Sequence, residues 1–234
     1  MTKGKIYLIP VTLGDTDFRR TIPDHAVEIT RKLRIFAVEE LRSARRYLRL
    51  IDKQFPIDDT LFFELNEHSR EEDISEFLKP VLEGKDMGIM SEAGLPGIAD
   101  PGSVLVKEAH NKNIRVVPLS GPSSILLSLI ASGMNGQNFR FCGYLPVKPD
   151  QRNSRLKETE KAVITGETQI FIETPYRAQK MFESIISVCQ GDTRLCVATD
   201  VTLPGETIRT MKISEWRKEK IDLKDRLVVF LLGR

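Results

Sequence analysis

Several residues in this sequence have types and spacings suited to chemistry. The run SEAGLPGIADPG, Ser91 to Gly102, holds three glycines and two prolines, with Glu92 and Asp100 between them. Bent backbone with few side chains lets amide groups approach a small molecule closely. Asp100-Pro101 reads as a helix start, Asp as N-cap and Pro in first place, and a helix N-terminus suits a carboxylate or phosphate. SGPSS, 120–124, repeats the device ahead of a helix at 125–133. Carboxylates able to take a proton recur as Glu39-Glu40 and as Glu67 beside His68. In LRSARRYLRLI, 41–51, Leu41, Ala44, Leu48 and Ile51 share one helical face. Arg42, Arg45, Arg46 and Arg49 share another, with no acid among them, which is a phosphate-backbone footprint. A second basic group, Lys148, Arg152, Arg155 and Lys157, follows YLP and reads as a polar substrate-binding loop.

Other chemistries lack their signatures. There is no GxGxxG after the first strand and no GxxxxGK[ST] anywhere, so dinucleotide and P-loop readings lose their support. No HExxH or CxxC occurs, and no metal is expected. No GxSxG occurs, and Cys142, Cys189 and Cys196 have no activating neighbours. An odd number of cysteines without metal spacing argues against a disulfide framework and for the cytoplasm. The N-terminal apolar run is too short for a signal peptide or a membrane span. The 234 residues, 41% hydrophobic with a formal net charge of +2, describe a globular chain. Any nucleic-acid role must then rest on local patches.

These residues need elements to position them. Runs at 5–11, 34–38, 61–65, 86–90 and 114–119 read as strands, and 23–32, 41–53, 70–84 and 101–112 as helices. The alternation predicts an α/β domain over 1–118 with a mostly parallel sheet. Over 119–234, strands are expected at 140–145, 168–174, 194–200, 206–212 and 226–232. Helices are expected at 121–133, 152–164 and 176–189, with a hairpin turn at 202–205. That is a second α/β domain with a mixed sheet. Ligands of open α/β sheets bind beyond the carboxyl ends of the strands. Gly14-Asp15, Glu39-Glu40, Asn66-Glu67-His68 and Ser91–Gly102 all follow strands, so they are expected at one edge.

The segments KIYLIPVTLGD, AVEELR, LNEHS, MSEAGLPGIADPG, VVPLSGPSS, FCGYLPVKPDQR, FIETPYR and ATDVTLPGE occur in this order. In that order they resemble the tetrapyrrole-methylase superfamily, most closely its branch of 16S rRNA cytidine 2′-O-methyltransferases. The likeness runs from about Lys5 to Val229. It implies S-adenosylmethionine bound in a cleft between two α/β domains, a homodimer, and RNA of the small ribosomal subunit as substrate. It implies cofactor contacts from Gly14, Ser91, Glu92, Ala93, Gly94, Ile98, Pro122, Ser123 and Tyr176. Candidate bases are Glu39 and His68 first, then Glu40, Glu67 and Glu173. Arg42, Arg45, Arg46, Arg49, Lys148 and Arg152 are candidates to hold RNA phosphates.

The chain departs from the family's motifs. The family's Ala-Glu-Asp-Thr-Arg is Val38-Glu39-Glu40-Leu41-Arg42, and its Ser-Asp-Ala-Gly is Ser91-Glu92-Ala93-Gly94. Its Glu-Ala-Pro-His-Arg is Glu173-Thr174-Pro175-Tyr176-Arg177. Its Arg-Glu-Leu-Thr-Lys is Thr199-Asp200-Val201-Thr202-Leu203, which loses both basic residues. Two other readings remain open: a methylase of a tetrapyrrole-like small molecule, and a non-catalytic cofactor- or RNA-binding module on the same fold.

Overall fold

The computed structural model describes residues 2–14, 17–65 and 71–234. The chain folds as two compact units, Met1–Ser123 and Ser124–Arg234.

In the first unit, β1 (Lys5–Leu8), β2 (Ile35–Val38), β3 (Leu61–Glu64), β4 (Met87–Met90) and β5 (Arg115–Pro118) form one sheet in the order β3-β2-β4-β1-β5. Every pairing is parallel. β2 and β4 are buried at all four positions, because helices cover both faces. Side chains alternate between the faces. Phe36 and Val38 join Ala26 and Val27 of α1 (Asp24–Lys32) and Ala44, Leu48 and Ile51 of α2 (Leu41–Ile51). Ile35 and Ala37 join Ile74 of α3 (Glu71–Phe77), Val81 of α4 (Lys79–Leu82) and Leu105 and Ala109 of α5 (Gly102–Asn111). Connections running out toward β3 thus cover one face and connections running back cover the other, as right-handed crossovers require. β4 lies between β2 and β1, whose following helices sit on the face opposite to α5. The carboxyl end of β4 is therefore the switch point of the sheet, where a crevice opens.

Three expectations shift. The strand expected at 5–11 ends at Leu8, and Val11 leaves it to form an isolated antiparallel bridge with Gly94. The helix expected at 70–84 is two, because Pro80 lacks the amide that would continue the first one. The expected start at Asp100-Pro101 moves on: α5 begins at Gly102, and Pro101 occupies the N-cap position without a side-chain bond.

The second unit carries β6 (Phe139–Tyr144), β7 (Thr168–Glu173), β8 (Arg194–Thr199), β9 (Thr207–Lys212) and β10 (Val228–Gly233), in the order β6-β7-β10-β8-β9. β6 and β7 are parallel and the other pairs antiparallel, so the sheet is mixed as expected. α7 (Pro149–Ile164), α8 (Pro175–Val188) and a short unexpected helix, α9 (Ile213–Trp216), pack on one face around Phe171, Phe230 and Trp216. Trp216 is fully buried and donates Nε1–H to the Leu195 carbonyl at 2.9 Å. α6 (Ser124–Ser132) covers the other face through Leu129 against Ile170, Cys196 and Val229. Lys148 to Lys157 read as a loop, but α7 starts at Pro149, whose fixed φ suits a first helical turn.

Candidate active site at the switch point of the first sheet

Four of the predicted clusters meet beyond the strand ends of the first unit. The amide of Glu39, just past β2, donates to the Met90 carbonyl at the end of β4 at 3.1 Å. The Val11 amide, past β1, donates to the Gly94 carbonyl at 2.9 Å. Gly94 itself has φ 75°, and a Cβ there would lie 3.3 Å from Leu13 Cδ2 and 3.4 Å from the Pro122 carbonyl oxygen, past β5. Gly121 packs so tightly on Pro10 that a Cβ would fall 2.1 Å from its ring. The ends of β1, β2, β4 and β5 are thereby locked together. Asp15, Asn66, Glu67 and His68 lie outside the described residues.

The loop after β4 is organised by Asp100. Its carboxylate accepts the amides of Gly97 (2.7 Å), Ile98 (3.1 Å) and Gly102 (2.7 Å). This changes the expected chemistry. The first amide of α5 and two glycine-loop amides already have an anion, so they do not wait for a ligand's carboxylate or phosphate. Ala99 is held at φ 62°, a left-handed conformation in a residue that carries a Cβ. A Cβ on Gly97 would meet nothing within 4 Å, so that side of the loop is open. Ser91 is buried, with its hydroxyl on the Ala93 carbonyl at 3.2 Å. Ser123 is buried, Ile98 is 44% exposed, and Glu92, Ala93 and Gly14 are exposed.

The candidate bases separate by what their carboxylates already do. Glu40 caps α2: it accepts the Arg42 amide at 2.7 Å, the Ser43 amide at 2.6 Å and the Ser43 hydroxyl at 2.7 Å. The Ser43 hydroxyl and those amides hold its pKa below the ordinary value. Glu173, buried at the end of β7, is paired with Arg177 Nη2 at 2.5 Å and Nε at 2.9 Å, and accepts the Thr174 amide at 2.7 Å. Glu39 differs. It is half-buried, and Oε2 accepts the Glu92 amide at 3.1 Å. Burial, ahead of the Asp100 and Glu92 charges, raises its pKa against the opposing effect of the Glu92 amide. A carboxylate that is basic, partly dry and at the switch point is equipped to take a proton.

On α2, Arg42, Arg45, Arg46 and Arg49 are all exposed. Among the described residues none of them forms an ion pair. The Arg45 guanidinium lies 5.5 Å from the Phe62 ring centroid, and Arg49 donates to the Lys53 carbonyl at 2.8 Å. The buried face holds Ala44, Leu48 and Ile51 as expected, with Tyr47 in place of the half-exposed Leu41. In the second unit, Lys148 is exposed, but Arg152 is committed to its own unit. It donates to Ser184 Oγ at 3.0 Å and to the Val147 carbonyl at 2.9 Å. Tyr176 is 75% exposed at the start of α8. Burial raises all three cysteine thiols, Cys189 to about 12, so none is an activated nucleophile.

Sequence reading missed Asp100 as the organiser of its loop, Arg177 as the partner of Glu173, and the Asp200–Arg226 pair at 2.7 Å. Only the second was legible, as an opposite charge four residues on from Glu173. Asp100 and Arg226 act on groups whose positions depend on turns.

Comparison with known proteins agrees with this geometry. A family model described as Tetrapyrrole (Corrin/Porphyrin) Methylases matches residues 5–216. A Vibrio cholerae protein named Ribosomal RNA small subunit methyltransferase I is 30% identical over 230 residues, 97% of this chain and 76% of that protein. A Streptococcus pyogenes protein of the same name is 31% identical over 237 residues, 99% of this chain and 77% of that protein. Among solved structures, the methyltransferase CobJ superposes with a TM-score of 0.63 at 16% identity, covering 99% of this chain and 94% of that one. Diphthine synthase does so at 0.69 and 13%, covering 98% and 90%. At those identities the two structures establish the fold.

Proposed function

The chain belongs to the tetrapyrrole methylase family, and from that premise we infer that this S-adenosylmethionine-dependent methyltransferase acts on a ribose 2′-hydroxyl of small-subunit ribosomal RNA. The two relatives named Ribosomal RNA small subunit methyltransferase I support the RNA assignment. The observation that carries the chemistry is Glu39, a half-buried carboxylate of raised pKa at the switch point of the first sheet.

The residues present fit the cofactor. Gly94 supplies a turn without a side chain, Gly97 leaves open space, and the Glu39, Glu92 and Asp100 charges suit a cation. S-adenosylmethionine supplies an electrophilic methyl group on a sulfonium. Ala93, Gly94, Ile98, Pro122 and Ser123 hold it in this reading, with Gly14 and Ser91 beside them and Tyr176 contributed by the second unit. Glu39 accepts the proton of the ribose hydroxyl as the new carbon–oxygen bond forms. Much of the rate comes from alignment of the hydroxyl, which the locked strand ends of the first sheet favour. Arg42, Arg45, Arg46 and Arg49 hold RNA phosphates from α2, whose first turn adjoins Glu39, and Lys148 adds a contact. A small-molecule methylase has no use for that arginine face.

The reading also places the protein in the cytoplasm as a homodimer. No helix among the described residues is long and apolar enough to cross a membrane. α6 leaves Leu126 46% and Ile130 77% exposed, an apolar surface that a second copy would cover.

The deciding experiment is methyl transfer from labelled S-adenosylmethionine to small ribosomal subunits that lack the modification, with Glu39→Gln and His68→Gln beside the wild type. Loss of about 10²-fold or more in Glu39→Gln alone makes Glu39 the base. The same loss in His68→Gln alone transfers the role to His68. A wild type that labels no RNA removes the proposal.

A further inference from the structure

The hairpin between β8 and β9 carries features that no step above uses. Register sets Thr199, the last residue of β8, opposite Val228 of β10, and Val228 opposite Glu173. The loop after Thr199 therefore shares the strand-end edge of the second sheet with Glu173 and Arg177. Its backbone is bent into the left-handed region at Asp200 (φ 48°) and Thr202 (φ 74°), as is Asp225 (φ 58°) just before β10. A β-branched residue takes that conformation only where its surroundings impose it.

They do so here through a lock on both sides. The Asp200 amide donates to the Leu227 carbonyl at 2.8 Å, and Asp200 Oδ1 accepts the Leu227 amide at 3.0 Å. Arg226 Nε donates to Asp200 Oδ2 at 2.7 Å, and its Nη2 reaches the Gly205 carbonyl. The Thr202 amide donates to Glu206 Oε2 at 2.7 Å. Held in this way, Thr202 Oγ1 is buried and has no hydrogen-bond partner. One residue thus combines a strained backbone with an orphaned hydroxyl. Both raise the energy of the free protein, and both are relieved if the hydroxyl meets a polar group that the free protein lacks.

We propose that the Thr202 hydroxyl is a hydrogen-bonding contact for a nucleoside. A hydroxyl donates and accepts, which matches a ribose hydroxyl or the edge of a base. The residue is partly exposed although its hydroxyl is not. A turn about χ1, exchanging methyl and hydroxyl, re-aims the oxygen without moving the loop. Asp200 neutralises Arg226, and Thr199 and Leu203 stand where the resembling family has cations, so the contact is a neutral one. Two nucleosides are at hand, the adenosine of the cofactor and a nucleotide of the RNA; in naming them the inference rests on the proposed function.

Thr202→Val tests this, because valine keeps the shape and the β-branch and removes only the hydroxyl. The melting temperature should hold or rise, since a buried orphan is gone. At the same time either the calorimetric Kd for S-adenosylmethionine or the filter-binding Kd for small subunits should weaken by about tenfold. The first identifies adenosine as the partner and the second an RNA nucleotide, and Thr202→Ser should restore either one. Thr202→Ala reads the same loss if the valine variant does not fold. Wild-type values of both constants in a stable variant overturn the proposal, as does a loss that serine fails to restore. Wild type that binds both partners without methylating refutes the proposed activity instead, and the two constants still decide the role of Thr202.

Discussion

The amide of Glu92 donates to Glu39 Oε2 at 3.1 Å, joining the loop after β4 to the end of β2. The same carboxylate is raised in pKa by burial first, and then by Asp100 and Glu92. A sequence neighbour shows the opposite behaviour: Glu40 is exposed, caps α2 and is shifted down. Two adjacent glutamates with opposite shifts is the pattern by which one environment sorts a base from a structural anion.

A raised folded-state pKa means that ionised Glu39 costs stability. The favourable contribution is present below the unfolded pKa and is lost as pH rises through the folded value. Glu39→Gln should therefore raise the melting temperature at neutral pH, with the difference fading as pH falls below the usual carboxylate range. Glu40→Ala should do the reverse, lowering the melting temperature at neutral pH and matching wild type in acid. Thermal denaturation across pH checks both, and equal behaviour of the two variants would refute the division of roles.

Gly94→Val should abolish calorimetric binding of S-adenosylmethionine. Its φ of 75° is left-handed, and the added side chain presses on Leu13 and on the Pro122 carbonyl. Gly97 has a φ of 90° but open space around it, so Gly97→Ala carries only the backbone strain. It should weaken binding less. Equal losses would mean that strain, not the close approach at Gly94, decides binding.

Arg42→Ala and Arg46→Ala should weaken RNA binding and flatten its dependence on salt, by about 0.7–0.9 in the log–log slope for each phosphate contact removed. Arg152→Ala should leave the slope unchanged and lower the melting temperature, because that side chain bridges Ser184 and the Val147 carbonyl. Salt titrations of RNA affinity give both slopes. A flattened slope in Arg152→Ala would return it to the RNA-binding set.

Arg177→Met should destabilise the protein by about 3–5 kcal/mol, since Glu173, with a side chain only 3% exposed, would keep an unpaired charge. Glu173→Gln in the same chain should recover most of that loss. Denaturant titration measures both. If Glu173→Gln alone abolishes methyl transfer while leaving stability intact, Glu173 belongs to the chemistry after all.

The alternation of strands and helices, the parallel first sheet and the mixed second one were legible in the sequence, because burial pattern and element length are local properties. So was the gathering of Gly14, Glu39, Gly94 and Pro122 at strand ends, which the βα order dictates for any parallel sheet. The family likeness was legible too, in short motifs kept in order. What those carboxylates do was not. Glu39 and Glu40 are the same residue type side by side, and only the approach of the Glu92 amide and the Ser43 hydroxyl tells them apart. Asp100 read as a helix cap, yet it organises a whole loop, because it folds back on amides three residues before it and two residues after. The strain at Thr202 depends on Arg226 and Leu227, more than twenty residues away in the chain. Pattern sets which elements form, whereas pKa, pairing and strain follow from distances of a few ångströms that arise only when distant segments pack.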